Sequence, residues 1–290
     1  MSPSLTKIRA RLITNSDIEG MVELLVRGFK RHTRQYWLRA FDHLRRYPTP
    51  AGFPKYGYLM ESDGAPIGVI LLIFSRIQTG DTWKTRCNVS SWYVEPAYRS
   101  YATLLLSQAL REKNVTYLNI SPASHVQRII EAQGFIRYCS GQFAAFPNLF
   151  AARNESYGTV LGIDAPPDVP FEPFEQDLLL RHSEYGCISL WCRTNDRAYP
   201  FVFLPRTIKG CLPCVQLIYC RAVEDFGRFS RTIGWFLLSR NRPFIIIDSN
   251  GPIPGLLGKY FEGAAPKYFR GPDRPRLGDL AYTEAAMFGF

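Results

Sequence analysis

Val94-Glu95-Pro96-Ala97-Tyr98-Arg99-Ser100-Tyr101-Ala102-Thr103-Leu104-Leu105-Leu106 joins a strand to a helix through a short turn. Residues 85–94 read as the strand, and Leu104, Leu105, Leu106, Ala109 and Leu110 recur with helical period as an apolar stripe. The first N–H groups of a helix have no partner inside it, and the helix dipole adds partial positive charge at that end. A turn of this kind holds a pyrophosphate without many side chains, which makes the stretch a candidate phosphate cradle.

Outward from this turn, the elements alternate. Residues 7–14 alternate apolar and polar as a half-buried strand does, and Asn15-Ser16-Asp17 offers N-cap side chains before Ile18, Met21, Leu24 and Leu25. A second helix is expected over 34–46, ended by Pro48 and Pro50. Residues 56–61, a Ser-Asp-Gly turn and 66–77 read as a hairpin, with 85–94 as the third strand of the meander. A strand over 115–120, a helix over 124–132 ended by Gly134 and a strand over 135–146 complete the first half.

The stretch 147–173 has little periodicity and contains Pro166-Pro167 and Pro170. The expected division is therefore a domain over 1–150, a linker over 151–173 and a second domain over 174–290. Beyond the linker the order of elements returns. A helix at 175–182 precedes strands at 187–193, 199–206 and 215–221, then a helix at 223–239 and a strand at 244–248. A short helix at 255–261 and closing strands at 266–269 and 280–288 finish the reading. Residues 91–110 followed by 115–120 match 217–238 followed by 244–248 at an offset near 127 residues, which suggests duplication.

The decisive turn resembles the signature of the GNAT superfamily, the GCN5-related N-acetyltransferases: Val-x-Pro-x-x-Arg-Gly-x-Gly-x-Gly-x-x-Leu. Val94, Pro96, Arg99 and the 105–106 region match it, and Ala132-Gln133-Gly134-Phe135 looks like the Leu-Gly-Phe that ends the family's fourth helix. The resemblance implies an α+β fold, two GNAT-like mixed-sheet domains in tandem with a degenerate second half. It implies acetyl-CoA or another acyl-CoA as co-substrate. The amides of Ser100, Tyr101, Ala102, Thr103 and Leu104 would grip the pyrophosphate, Arg99 would help neutralise it, and backbone groups near Trp92 and Val94 would pair with the pantetheine arm. The acyl group would pass directly to an amine of a small molecule or peptide held in line with it. Ser100, Ala102 and Leu104 stand where the family commonly has small residues or glycines. Ile130 stands where members often place a tyrosine that protonates the departing thiolate. His125, Ser124 and Tyr138 are the nearby proton carriers, His125 alone having an unperturbed pKa suited to neutral pH; a capping or surface role is the other account of that histidine. Glu95 reads as a solvated turn carboxylate. In the second half, Glu224 and Asp225 follow the equivalent strand and would repel a pyrophosphate, so a second coenzyme A is not expected there.

Composition bounds the alternatives. The net charge of +10 is uneven, with 19 basic and 10 acidic residues in 1–150 against 16 and 15 in the rest. An acidic ligand, a nucleic acid or simply a solvated basic surface fits that excess. The longest apolar run, residues 67–74, is too short to span a bilayer, and the N-terminus lacks the pattern of a secretory signal, so a cytoplasmic protein without membrane contact is expected. Seven cysteines in strand-like segments fit free thiols in a reduced compartment. Cys211-Leu-Pro-Cys214 is half a zinc motif with no second half, so no metal is expected. Three functions follow: an acyl-CoA-dependent N-acyltransferase, an aminoacyl or peptidyl transferase that takes charged tRNA, suggested by the basic first half, and a non-catalytic GNAT-like sensor.

Overall fold

The computed structural model describes residues 8–79, 82–146, 158–208 and 210–289. The chain forms two compact units, Met1–Asn119 with Phe269–Asp273, and Ile120–Tyr268 with Arg274–Phe290.

Unit 1 contains β1 (Ile8–Leu12), α1 (Ile18–Gly28), α2 (Arg34–Arg46), β2 (Gly57–Ser62), β3 (Ala65–Thr79), β4 (Thr82–Val94), a 3-10 helix (Pro96–Tyr101), α3 (Ala102–Ala109) and β5 (Thr116–Asn119). Its strands lie in sequence order, antiparallel from β1 to β4, with β5 parallel to β4. Asp63 and Gly64, both with positive φ, make the tight turn that the β2–β3 hairpin needs. Residues 57–62 and 67–75 are buried without interruption, so both faces of the sheet are covered. α1 and α2 pack on each other and α1 on β3 and β4, while α3 packs on β1, β2 and β3. Each helix buries its apolar stripe: Met21, Val22, Leu24 and Leu25 in α1, Trp37, Ala40, Phe41 and Leu44 in α2, Leu105, Leu106 and Ala109 in α3. The returning segment is tied in by Asp273, whose amide donates to Thr116 Oγ1 (3.1 Å) and whose carboxylate pairs with Lys84.

Unit 2 contains α4 (Ser124–Ala132), β6 (Ile136–Phe146), β7 (Thr159–Leu161), α5 (Pro173–Glu184), β8 (Ile188–Arg193), β9 (Ala198–Ile208), β10 (Leu212–Tyr219), α6 (Val223–Leu238), β11 (Phe244–Ser249), β12 (Leu257–Arg270, its last two residues counted in unit 1) and α7 (Glu284–Phe288). Its strand order is β12-β6-β11-β10-β9-β8-β7. α6 lays Phe226, Phe229, Ile233 and Leu237 against Phe143, Phe201, Phe203, Leu217, Ile245 and Ile247 to make the core. Residues 86–88 of β4 pair in parallel with 116–118 of β5, and 128 residues further along 214–216 of β10 pair in parallel with 244–246 of β11.

Three expectations differ from what forms. Residues 255–261 are not a helix: from Leu257 onward they open β12, where the backbone beside Gly258 lies against Ala144 O of β6, and a ladder partner outweighs local helical pattern. Residues 280–288 are not a strand but a turn and α7, since Glu284-Ala285-Ala286-Met287 are good helix formers behind Thr283. Within the stretch expected to be a linker, residues 159–161 form β7 beside β8, and residues 151–157 lie outside the described part. Among the described residues, no helix is long and apolar enough to cross a membrane and no three His, Cys, Asp or Glu residues gather as metal ligands.

One buried ion pair pins unit 2. Lys267 and Asp248, 2% and 4% exposed, meet at 2.8 Å; Lys267 also donates to Ala265 O (3.1 Å), and Gln142 donates to the same Asp248 oxygen (3.2 Å). Asp248→Ala strands a buried ammonium and is expected to lower the unfolding free energy by about 3–5 kcal/mol, whereas the double replacement with Leu and Met costs less. Denaturant unfolding of the three proteins checks this.

Candidate active site

The parallel strand pair of unit 1 comes apart. β4 and β5 pair over residues 86–88 and 116–118, yet β4 runs on to Val94, and among the described residues its strand neighbours are β3 and β5. A bulge accounts for the divergence. Ser90 faces Leu71 and Tyr93 faces Val69, so Ser91 and Trp92 together oppose the single residue Ile70. Ser91 takes φ +50°, with its hydroxyl 2.9 Å from that of Ser90. An extra residue bends a strand and increases its twist, which turns the end of β4 away from β5. Asn88, buried at the apex, donates through its side chain to Leu118 O across the pair (3.3 Å). Trp92, the expected pantetheine neighbour, is half-buried, and its indole N–H is buried without a hydrogen-bond partner. Val94 is buried at the strand's end.

The turn that follows is wound more tightly than a loop. Residues Pro96–Tyr101 form a 3-10 helix that runs straight into α3, with Tyr98 N–H donating to Glu95 O (2.9 Å) and Ala102 N–H donating to Arg99 O. The amide of Ala102 is thereby committed within the chain. Thr103 and Leu104 lie in the first turn of α3, directly after that 3-10 helix. Arg99, Ser100, Tyr101, Thr103 and Leu104 are all exposed and Ala102 is partly so, which leaves this helix start open to solvent.

Glu95 is not a solvated carboxylate. Arg27 at the end of α1 pairs with it at 2.8 Å, and the Tyr93 hydroxyl donates to its other oxygen (3.1 Å), so it ties α1 to the end of β4. Above that end lies an aromatic wall that sequence reasoning missed: Phe29 is 6.3 Å from Tyr93 and 5.4 Å from Trp37, and His32 stacks on Tyr36 at 4.0 Å and meets Trp37 edge-on. Burial, and after it the charge of Arg31, holds the His32 imidazole below its usual pKa, so it is neutral at neutral pH and competent to accept a proton. The cluster Phe29, His32, Tyr36 and Trp37 between two helices was the available signal.

The proton carriers expected from the sequence lie in unit 2. Ser124 and His125 are exposed in the first turn of α4, whereas Tyr138 is buried in β6. The cofactor set, Trp92, Val94 and residues 99–104, lies wholly in unit 1. Ile130, at the position where the resemblance would place a general acid, is buried and apolar.

No protein-family model matches the chain, and no curated protein is detectably similar to it in sequence. Solved structures are similar in fold. A proposed acetyltransferase from Pyrococcus horikoshii superposes with a TM-score of 0.57 at 16% identity, over 97% of this chain and 96% of that one. GCN5-related N-acetyltransferases from Anabaena variabilis and Kribbella flavida superpose with TM-scores of 0.60 and 0.56 at 10% and 12% identity, over 91% of this chain and 72% and 71% of theirs. The chain has the α+β acyl-CoA N-acyltransferase fold of the GCN5-related N-acetyltransferases.

Asn88→Leu keeps the size of the apex residue and removes its bond to Leu118 O. It is expected to destabilise the protein by about 1–3 kcal/mol, the cost of weakening a buried polar contact. A change in the denaturation midpoint at constant m-value is the readout.

Proposed function

We propose that the chain is an acyl-CoA-dependent N-acyltransferase that acts on an amine of a small molecule or peptide. The observation that carries this reading is the open split between β4 and β5 beside a solvent-facing helix start in the same unit. A gap in a sheet exposes backbone donors and acceptors along one strand edge, and a flat polar arm such as pantetheine satisfies them without side-chain help. The start of α3 supplies a positive dipole end for a diphosphate, with Thr103 and Leu104 offering amides and Arg99 a charge. Leu104 is 38% exposed, so a leucine at that position does not fill the core in a glycine's place.

In this reading the co-substrate supplies an activated acyl group. The acceptor nitrogen attacks the thioester carbonyl, the C–S bond breaks, the amine gives up a proton and the sulfur takes one. The residues of this chain orient the two reactants and move those protons. His32 is a neutral base in the unit that carries the split; Ser124, His125 and Tyr138 are the carriers near in sequence to Ile130, where the resemblance would place the acid. Compartment, acyl length and acceptor are set by chemistry beyond this fold.

A second reading is a sensor that binds acyl-CoA without turnover. Two observations favour it: the Ala102 amide is already committed to Arg99 O, and Ile130 carries no proton to give.

Calorimetric titration with acetyl-CoA and longer acyl-CoA compounds, paired with thiol-release assays on panels of amines, separates the readings. Binding with turnover is expected, and Thr103→Glu, which sets a negative charge at the helix start, is expected to weaken binding at least about tenfold, roughly 1.4 kcal/mol. Binding without turnover on any amine would leave the sensor; no binding at all would remove both. Of His32→Gln and His125→Gln, the one that removes the working proton carrier is expected to lower kcat by about 10²-fold or more.

A further inference from the structure

Unit 2 repeats the split and fills it. β10 leaves β11 after residue 216, as β4 leaves β5 after residue 88, and a register shift between Leu217 and Tyr219 bends β10 just beyond that point. Along the edge so exposed lies the chain's own C-terminal segment. Leu280 N–H donates to Ile218 O (2.7 Å), Cys220 N–H donates to Gly278 O (2.9 Å), and Asp279 bridges Tyr219 in antiparallel register. The edge residues used, Ile218 and Cys220, correspond at the repeat's offset to Ser90 and Trp92 of β4.

The segment is seated by both ends. On one side Arg276 donates to Cys220 O at 2.5 Å, and its guanidinium lies 5.0 Å from the Tyr219 ring and 3.6 Å from Asp279. On the other, Thr283 Oγ1 donates to Leu280 O at 2.6 Å, and Tyr282 N–H donates to His182 Nε2 at 3.1 Å. His182 is fully buried with Nδ1 2.7 Å from Leu178 O, which fixes the tautomer: Nδ1 donates to the carbonyl and Nε2 accepts from Tyr282. Leu280, Ala281 and Thr283 are at most 2% exposed, which is the burial of a core element and not of a tail resting on a surface. Gly278 has φ +74°, and a Cβ there would stand 2.8 Å from Cys220 Sγ, so the segment is shaped to this edge. The neighbouring helix start is filled as well. The Asp225 carboxylate accepts from Ala222 N–H (3.2 Å) at the first turn of α6, where an anion would otherwise sit.

We propose that residues 276–283 are a resident peptide ligand of the second split, held in cis, and that the chain therefore offers one acyl-thioester cleft and not two. The ligand class of the second split is then an extended peptide with a glycine at its closest approach. The count of cofactor sites rests on the acyltransferase reading; the occupation of the second split does not, and the experiment separates them.

Hydrogen exchange on the full-length protein, resolved at single amides, reads the occupation directly. The Leu280 and Cys220 amides are expected to exchange no faster than the core strands of unit 2 and to show no change when acetyl-CoA is added, while calorimetry returns one acetyl-CoA per chain. Fast exchange at those two amides, new protection there on adding acetyl-CoA, or two acetyl-CoA per chain would overturn the proposal. Slow exchange with no acetyl-CoA bound anywhere would sink the acyltransferase reading and leave the filled split standing. Gly278→Val is expected to speed exchange at both amides at least tenfold, and a synthetic peptide of residues 274–290 added in trans is expected to restore protection. A folded variant with unchanged exchange, or one whose protection the peptide leaves unaltered, counts against the proposal; if the variant fails to fold, the wild-type measurements decide alone.

Discussion

A parallel strand pair that lasts only three residues is the constraint from which the rest of this molecule follows. Backbone N–H and C=O groups cannot be left buried and unsatisfied, so a strand that parts from its neighbour inside a covered sheet must find another partner. The bulge at Ser91 and Trp92 makes the parting permanent, because returning β4 to register would require removing a residue from the strand. Each unit then has to answer the same problem along one strand edge. Unit 2 answers with residues 278–280 of its own chain, and among the described residues no strand lies on the β5 side of β4 past Asn88.

How far the sequence reveals this depends on which physical signal each element carries. The helices at 34–46 and 223–238 and the strands around residues 70, 90 and 203 have strong, regular periodicity, and they form where the pattern places them. The closing elements have no such signal. Residues 257–261 carry apolar side chains at a spacing that helix and strand share, and only the ladder beside β6 decides between them. The segment 276–283 is read least well of all, since its conformation comes from Cys220, Ile218 and His182, which are distant in sequence.

The candidate site was legible in position and less so in conformation. Val94, Pro96 and Arg99 locate the strand end and the turn, and both form there. The fate of the amides is another matter. With Ser100, Ala102 and Leu104 where glycines would permit left-handed or extended backbone, every residue from 97 to 105 favours right-handed winding, and the turn coils into a 3-10 helix continuous with α3. That winding draws the Ala102 amide inward to Arg99 O. Likewise, no local pattern marks Glu95 as structural; its role appears only when Arg27 and Tyr93 close on it.

The two units also differ in what stands at the helix start beside the split, and the difference has a consistent sense. At α6 the carboxylate of Asp225 occupies the first turn, and nearby Glu175, buried to 1% exposure, holds Arg221, so the local positive potential is satisfied within the unit. At α3 no acidic residue lies in the first turn, and Glu95, which precedes the 3-10 helix, has its charge turned toward Arg27. Unit 2 carries a peptide arm at its strand edge and a fixed carboxylate at its helix start as covalent parts of itself, whereas the helix start of unit 1 is open to solvent beside an exposed Arg99.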